Sequence, residues 1–418
     1  MANRDNERLL IISNNVLSNM RNNGKTIYSY IDSIPKENVA QLYFNSEYPS
    51  IPGYKYFQIT DKDIIKGLLS PRRRGREIND ARESTVKITA TAKNLKTNAF
   101  RLARELLWKG KWRSKKLMSW LDEFSPTAVF FVGGDSVFAY DICQYIVTRY
   151  GARLSMYITD DYIMPRTNNS LIGKFRQNRI KKSIKKCLEH TDSFFTVSDI
   201  MRKEYQKVFG RDSFVIVNLS ESLKTEIKAT VREEYTLIYA GSLYYGRDAL
   251  LGKIAYQLSV YNQNHEKKAR LEIYSVGTPD KSTRELIEVE GASEFCGSLN
   301  KDELRLKLNE SDVLVFVESF DEDQIEKTRY SLSTKVPEYL SAGKPILAVG
   351  PIEVGSMDYL SDVAICVTDL SKLGDILTKT LESPSFMNEV AQRCEEKYNK
   401  NHRKDVIQQE FISKIFKK

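Results

Sequence analysis

Two stretches in the second half of this sequence carry side chains suited to gripping an anion. In Tyr239-Ala-Gly-Ser-Leu-Tyr-Tyr-Gly-Arg-Asp248 an apolar run ends at Gly241, a short loop with Ser242 follows, and Arg247 falls where a helix should begin. A glycine at a strand end lets a phosphate approach the main chain, and helix amides with a guanidinium match a diphosphate. Taken alone, the same pattern is more often a tight turn with a surface arginine. In Ser331-Leu-Ser-Thr-Lys-Val-Pro-Glu-Tyr-Leu-Ser-Ala-Gly-Lys-Pro345, Pro337 suits a first helical turn and Ser333 or Thr334 precedes it. Gly343 ends that helix and Pro345 opens the next strand. The helix N-terminus would then face out of a sheet beside hydroxyls and Lys335, an arrangement that suits an anion. Glu338 falls in the first turn, where it either favours the helix dipole, worth about 0.3–1 kcal/mol, or accepts hydrogen bonds from a ribose diol.

The elements that must hold these groups alternate. Short apolar runs at Leu9–Ser13, Ala128–Val132, Arg153–Thr159, Ser193–Val197 and Phe214–Val217 read as strands in the first half. Thr236–Ala240, Leu271–Val276, Val313–Val317 and Pro345–Val349 do so in the second. Helical patterns fill the gaps, and Val406, Ile407, Phe411, Ile412 and Ile415 mark an amphipathic closing helix. Such alternation predicts an α/β protein with parallel sheets covered on both faces. The polar stretch Ser220–Glu234 reads as a linker, and residues 60–120 show no regular pattern.

At 418 residues the chain is long enough for two or three domains. Five scattered cysteines with no CxxC pair and three histidines argue against a disulfide framework and against a metal centre. No apolar run approaches the roughly 18 residues needed to span a bilayer, and the polar start lacks a secretion signal, so a cytoplasmic protein is expected. Charge divides unevenly: residues 1–220 carry 37 basic against 22 acidic residues, a net +15, while the remainder carries 27 against 33, a net −6. The excess clusters at Pro71–Arg76, at Arg101–Trp120 around Trp108, Trp112 and Trp120, and at Lys174–Lys186. The last has Ile172, Phe175, Ile180, Ile184 and Cys187 at helical spacing, so it reads as a basic amphipathic helix. Its face is either the solvated back of a core helix or a contact for an anionic membrane, and the basic residues beside the tryptophans of Arg101–Trp120 suit the same membrane interface. No nucleic-acid-binding signature accompanies it.

Order and spacing carry more than any one segment. The sequence strand–Gly–Ser–Leu–x3–Arg247, then Leu271–Gly277, Phe295-Cys-Gly-Ser-Leu-Asn300, Ser311–Val317 and Ser333-x-Lys-x-x-Glu-Tyr-Leu-x-x-Gly-Lys-Pro345 resembles the C-terminal half of GT-B glycosyltransferases. It looks most like the family-four retaining enzymes that build bacterial surface polysaccharides. The resemblance covers residues 236–360, and more weakly Tyr157–Tyr162 and Met201–Tyr205. It implies two Rossmann-like domains facing each other across a cleft. Residues 1–220 would bind the acceptor, a glycan or lipid-diphosphate-linked chain at the inner face of the plasma membrane. Residues 221–400 would bind a nucleotide-diphosphate-sugar donor, UDP- or GDP-linked, with no cofactor and no metal. Residues 401–418 would form a helix packing back on the first domain.

By position in the family pattern, Arg247 and Lys335 would hold the diphosphate, with Gly241 and Ser242 beside it. Amides around Ser331, Ser333 and Thr334 would cradle the distal phosphate. Gly277 and Cys296 to Leu299 would border the base, and Glu338 would bind the ribose. Gly24 would approach the donor from the other domain, and Asp160 or Asp161 would lie at the acceptor. One departure stands out. The family's Glu-x7-Glu pattern places Tyr330 where the first glutamate should touch the transferred sugar. Glu318, Asp321, Glu322 and Asp323 precede that loop as substitutes, or as a solvated acidic turn. Breaking the glycosidic bond builds negative charge on the departing phosphate, which fixed cations and amides must stabilise.

Three other readings share residues with this one. Asn19-x4-Gly24-Lys25-Thr26 resembles the end of a P-loop, with Val129–Asp135 as a Walker B strand, as in an NTPase or sulfotransferase. A non-catalytic membrane- or polyanion-binding protein on a transferase fold would also explain Tyr330 and the basic first half. A sugar epimerase on the same fold would need more histidines and carboxylates.

Overall fold

Apolar runs of four to six residues between polar turns are too short for helices and set the strands of this chain. The computed structural model describes residues 7–19, 22–69, 74–79, 97–167, 169–224 and 233–416. The chain divides into two compact units: residues 1–197, 202–216 and 405–418 form unit 1, and residues 198–201 and 217–404 form unit 2. Of the expected linker, residues 225–232 lie outside the described residues.

Unit 1 is built on eight strands: β1 (Leu9–Ser13), β2 (Val39–Tyr43), β3 (Lys55–Gln58), β4 (Arg76–Ile78), β5 (Ala128–Gly133), β6 (Arg153–Ile158), β7 (Ser193–Thr196) and β8 (Phe214–Val215). Their order is β4-β3-β2-β1-β5-β6-β7-β8, parallel throughout except for β3 with β4. Strands β2 and β3 are hidden in the sequence by the glutamines inside them. Gln41 is fully buried, donates to Ser13 Oγ (2.8 Å) and to the Asn15 carbonyl (3.0 Å), and accepts the Leu17 N–H (2.9 Å). A buried amide with every group paired costs little, so the strand tolerates it and the loop after β1 is pinned.

The helices of unit 1 are α1 (Asn22–Ile31), α2 (Asp61–Leu69), α3 (Asn98–Trp108), α4 (Lys115–Phe124), α5 (Val137–Tyr150), α6 (Leu171–Leu188) and most of α7 (Asp199–Phe209). The region 97–124, irregular in sequence, is therefore two helices, each started by a side chain that caps it: Thr97 Oγ1 accepts from Phe100 and Ser114 Oγ from Leu117. This overturns the interfacial reading of the tryptophans. Trp108, Trp112 and Trp120 are all buried; Trp108 stacks on Phe138 at 3.9 Å and donates to Asp61 Oδ1 at 2.6 Å. Of the Pro71–Arg76 cluster, residues 71–73 lie outside the described residues. Arg74 donates to the Gly67 carbonyl and Arg76 to Gln58 Oε1.

Unit 2 has six strands, all parallel: β9 (Tyr235–Ala240), β10 (Ala269–Tyr274), β11 (Ser293–Gly297), β12 (Val313–Val317), β13 (Ile346–Val349) and β14 (Ile365–Val367), ordered β11-β10-β9-β12-β13-β14. Between them run α8 (Arg247–Asn264), α9 (Lys281–Ile287), α10 (Lys301–Glu310), α11 (Glu322–Thr328), α12 (Lys335–Ser341), α13 (Gly355–Leu360), α14 (Leu373–Leu381) and α15 (Pro384–Asn401). The sheet core is wholly apolar at β12 and β13, as expected for strands covered on both faces.

The final helix, α16 (Lys404–Phe416), belongs to unit 1 from Asp405 onward. Phe411 packs there against Tyr30 (4.5 Å), Phe130 (5.2 Å) and Phe195 (5.5 Å). Just before it, His402 is fully buried in unit 2. Its Nδ1 lies 2.9 Å from the Asn218 carbonyl, so that nitrogen carries the proton, and Nε2 accepts from Tyr359 Oη at 2.9 Å. Burial lowers its pKa to about 4 and so keeps the ring neutral. A base depressed in the fold stabilises it fully above its unfolded value near 6.5 and loses that contribution as pH falls toward 4. We expect the drop in urea stability between pH 7 and pH 4 to be smaller by roughly 3 kcal/mol in His402→Gln than in the wild type. Equal drops followed by far-UV dichroism would count against a neutral His402.

Candidate functional site

Strand order in unit 2 reverses between β9 and β12: β10 and β11 follow on one side of β9, β13 and β14 on the far side of β12. Connections leaving opposite faces at such a switch point open a crevice beyond the strands' carboxyl ends. Two loops frame it here, residues 241–246 after β9 and residues 318–321 after β12. Gly246 takes φ +71°, and a Cβ on it would lie 2.8 Å from Ser319 Oγ and 2.9 Å from Asp321 Oδ2. Glycine is therefore what lets the two loops touch. Tyr245, before it, also adopts the left-handed region at φ +67°, a strained state that a non-glycine residue holds only where its surroundings insist.

Arg247 is the first residue of α8, and its side chain spans the gap. Nη2 donates to Glu318 Oε2 at 3.0 Å, with the two side chains only 17% and 4% exposed. Burial pushes the Glu318 carboxyl above its ordinary range, and the guanidinium beside it opposes that. Glu318 is thus no part of a solvated acidic turn. Asp321, Glu322 and Asp323 are exposed, the last two opening α11. Tyr239 Oη donates to the Ser242 carbonyl (2.6 Å), which fixes the start of the first loop.

The stretch holding Lys335 is tied to the same strand end. Tyr339 on α12 is fully buried, and its hydroxyl accepts the Ala240 N–H at 2.9 Å. The helix starts at Lys335 with Thr334 as its N-cap residue and Pro337 in its first turn, as the sequence indicated, although the Thr334 side chain makes no capping bond. Lys335 Nζ lies 3.4 Å from Glu338 Oε2, one turn along. The amide cradle expected around Ser331 and Ser333 is already engaged: Ser331 N–H donates to the Thr328 carbonyl and Ser333 N–H to Ser356 Oγ, both at 2.9 Å. Lys335 N–H donates to Ser333 Oγ. A phosphate at that place would have to displace these bonds, which leaves side-chain cations as its main partners.

On the other flank the strand ends are laced together. Gly241 N–H donates to the Tyr274 carbonyl (3.0 Å) and Ser275 N–H to the Gly297 carbonyl (2.8 Å). Gly241, Gly277 and Leu299 thus follow neighbouring strand ends. Cys296 lies inside β11 rather than in a loop, and burial raises its thiol pKa. Tyr244, Tyr245 and Val276 stand exposed after these strands.

The remaining candidates belong to unit 1. Gly24 sits in the first turn of α1, where a Cβ would fall 2.1 Å from the Val16 carbonyl oxygen. The space over this glycine is filled by a main-chain acceptor, so its Cα face is closed to a phosphate in the P-loop reading and to a donor in the glycine-loop reading alike. Asp161 follows β6, and its Oδ1 accepts the N–H groups of Ile163 and Met164 (both 3.1 Å) and the Tyr205 hydroxyl (3.3 Å). It organises its own turn. Asp160 beside it is exposed, and its Oδ2 accepts from Thr159 Oγ1 (3.4 Å) and Tyr162 Oη (3.3 Å). Among the described residues no cluster of histidine, cysteine and carboxylate groups could hold a metal, and no helix is long and apolar enough to cross a membrane.

No protein-family model matches the chain, and no curated protein matches it in sequence. Solved structures do match it along nearly its whole length. An α,α-trehalose 6-phosphate synthase from Burkholderia multivorans is 12% identical with a TM-score of 0.60, covering 98% of each chain. A trehalose-6-phosphate structure from E. coli bound with UDP-2-fluoro glucose is 12% identical with a TM-score of 0.62, covering 99% of each. A UDP-forming α,α-trehalose-phosphate synthase from Burkholderia xenovorans, in complex with glucose-6-phosphate, is 10% identical with a TM-score of 0.57, covering 98% of this chain and 99% of that one. Together with the two parallel sheets, these decide the fold. This chain has the GT-B architecture.

Two residues of this GT-B chain are not singled out by sequence. Glu318 reads there as one of a run with the exposed acids after it, although a carboxylate directly ending the apolar run Val313–Val317 is a signal of its own. Tyr339 looks like any helix-face residue, and nothing in the sequence announces its bond to β9. Substituting Gly246 by alanine forces a left-handed Cβ against Ser319 and Asp321. We expect a stability loss of about 1–2 kcal/mol, read as a shift in urea midpoint; an unchanged midpoint would show that the loops do not touch.

Proposed function

We propose that the protein is a glycosyltransferase that moves a sugar from a nucleoside-diphosphate donor, UDP- or GDP-linked, to a glycan or lipid-linked acceptor. Within that class, the reading is a retaining, metal-independent hexosyltransferase of bacterial surface-polysaccharide synthesis, resting on the family-four resemblance of residues 236–360. The observation that carries the transferase reading is Arg247 lying across the β9/β12 switch point of unit 2, where an open parallel sheet takes its ligand. The E. coli structure of the same architecture is bound with a UDP-sugar, which supports a donor of that type here. Arg247 and Lys335 would take up the negative charge that develops on the leaving diphosphate, and such fixed charges usually contribute most to catalysis of this kind. Glu338 would accept from the ribose hydroxyls. Asp161, engaged in its own turn, would act on the acceptor only through the shape of that turn.

A specific observation favours an anionic membrane surface as the place of work. Leu171, Ile172 and Phe175 open α6 at 84%, 44% and 54% exposure, so Ile172 and Phe175 stay out of the core that Ile180, Ile184 and Cys187 of the same stripe join. Leu171 and Phe175 are one turn apart, and Lys182, Lys185 and Lys186 continue along their side of the helix, all exposed. Phe100 on α3 is also exposed, close to where Asn98 donates to Ser170 Oγ at 3.4 Å. Apolar side chains ahead of a lysine row fit the cytoplasmic leaflet, at about 1 kcal/mol per basic residue.

With UDP- and GDP-sugars screened first by thermal shift, Arg247→Ala should lower turnover of the donor that binds by roughly 100-fold or more. Near-normal turnover would remove Arg247 from the site, and a wild type stabilised by no nucleotide-sugar would remove the transferase reading. Vesicles containing anionic lipid should sediment the wild type at low salt but release it at high salt, and Leu171→Ser/Phe175→Ser should weaken the association about tenfold. Sedimentation insensitive to both salt and anionic lipid would end the membrane assignment.

A further inference from the structure

We propose that Glu318 is a positioning residue for diphosphate binding, one that fixes the Arg247 guanidinium across the switch point so that its other N–H groups face the ligand. The inference rests on the transferase reading and deepens it. The carboxylate is well anchored: Glu318 continues β12, its own N–H donates to the Val349 carbonyl at 2.9 Å, and its side chain is 4% exposed. It takes one donor of the guanidinium, Nη2 at 3.0 Å. An arginine carries five N–H donors in a rigid fork, so a single anchored bond sets the direction of the rest. Tyr245 is the second constraint, with the guanidinium carbon 5.8 Å from its ring centroid. Gly246, pressed against Ser319 and Asp321, holds the start of α8 to the loop that carries Glu318.

The chemistry asks for such a group. A flexible arginine loses side-chain freedom when it clamps a diphosphate, and a site that has already ordered it avoids that cost. A carboxylate alone beside the crevice would repel the ligand. Paired with Arg247, it gives up that charge and keeps its orienting role. The position also answers the missing first glutamate. Where the family pattern has an acid at residue 330, this chain has Tyr330, and its buried acid lies at the end of β12 instead.

The test is a double-mutant cycle read by calorimetry, with UDP and GDP as probes and uridine and guanosine as controls that lack phosphate. Glu318→Ala should weaken binding of the diphosphate that the wild type takes by about tenfold, within the usual range of coupling for residues in contact, while leaving the nucleoside unchanged. Glu318→Gln, whose amide oxygen still accepts from Nη2, should recover most of that loss and serves if the alanine variant does not fold. In an Arg247→Ala background, either Glu318 substitution should change affinity less than about twofold. Equal losses in both backgrounds would reveal a merely structural residue, and tighter diphosphate binding in Glu318→Ala would reveal a competitor for Arg247. Either overturns the inference alone. A wild type that binds neither diphosphate overturns the transferase reading and this inference together.

Discussion

Parallel pairing of β9 with β12 is the constraint from which the candidate site follows. Parallel strands deliver all their carboxyl ends to one edge, and each needs a crossover helix to return. Because the crossovers after β9 and β12 lead to opposite halves of the sheet, the two strand ends diverge into different loops with a gap between them. What fills that gap is a half-buried cation and a buried anion. An ion pair removed from water gains little net stability, since desolvation consumes much of the attraction. Leu or Met in both places would hold the loops together as well. The presence of charge there is more readily understood as serving something that arrives than as serving the fold.

Unit 1 offers a contrast at its own switch point, between β1 and β5. Beyond β5, Asp135 pairs with Arg101 at 2.8 Å and with Arg176, and the buried Glu105 sits between Arg176 and Arg179. Arg104 pairs with Asp61 at 2.7 Å. Each of these arginines is matched by an acid nearby, so the basic excess of the first half does not accumulate at this strand end. It is carried instead by exposed lysines along α6. Clustering in the sequence thus joins two populations with different work: arginines that pair with nearby carboxylates, Glu105 among them buried, and lysines that remain in water.

The fold is largely legible because a covered parallel strand has an unmistakable composition, as Val313–Val317 and Ala128–Gly133 show. It is illegible where polar groups lie inside strands, as at Gln41 and Gln58, or where tryptophans mingle with arginines. In the latter case alternation along the chain places cation and ring together, while helical geometry turns Trp108 and Trp120 inward and leaves Lys115 and Lys116 of α4 exposed. The candidate site is half legible. Glycine, arginine and proline at strand ends mark backbone events, and those positions can be read. The partner of Arg247 lies 71 residues away along the chain, and a pairing at that separation leaves no local pattern. The amide cradle misleads for a related reason: its amides already have acceptors that no local pattern shows, the Thr328 carbonyl for Ser331, Ser356 Oγ for Ser333 and Ser333 Oγ for Lys335.

The closing helix has a consequence for how the molecule is made. Unit 1 places Phe411 among Tyr30, Phe130 and Phe195, so side chains from the beginning, middle and end of the polypeptide meet in one core. During synthesis at about 5–20 residues per second, everything from residue 7 to residue 216 leaves the ribosome with that aromatic seat empty. Unit 2 emerges whole in the meantime. The part translated first is therefore the part finished last, and its exposed aromatic cradle is what a chaperone, or a second nascent chain, would meet while it waits.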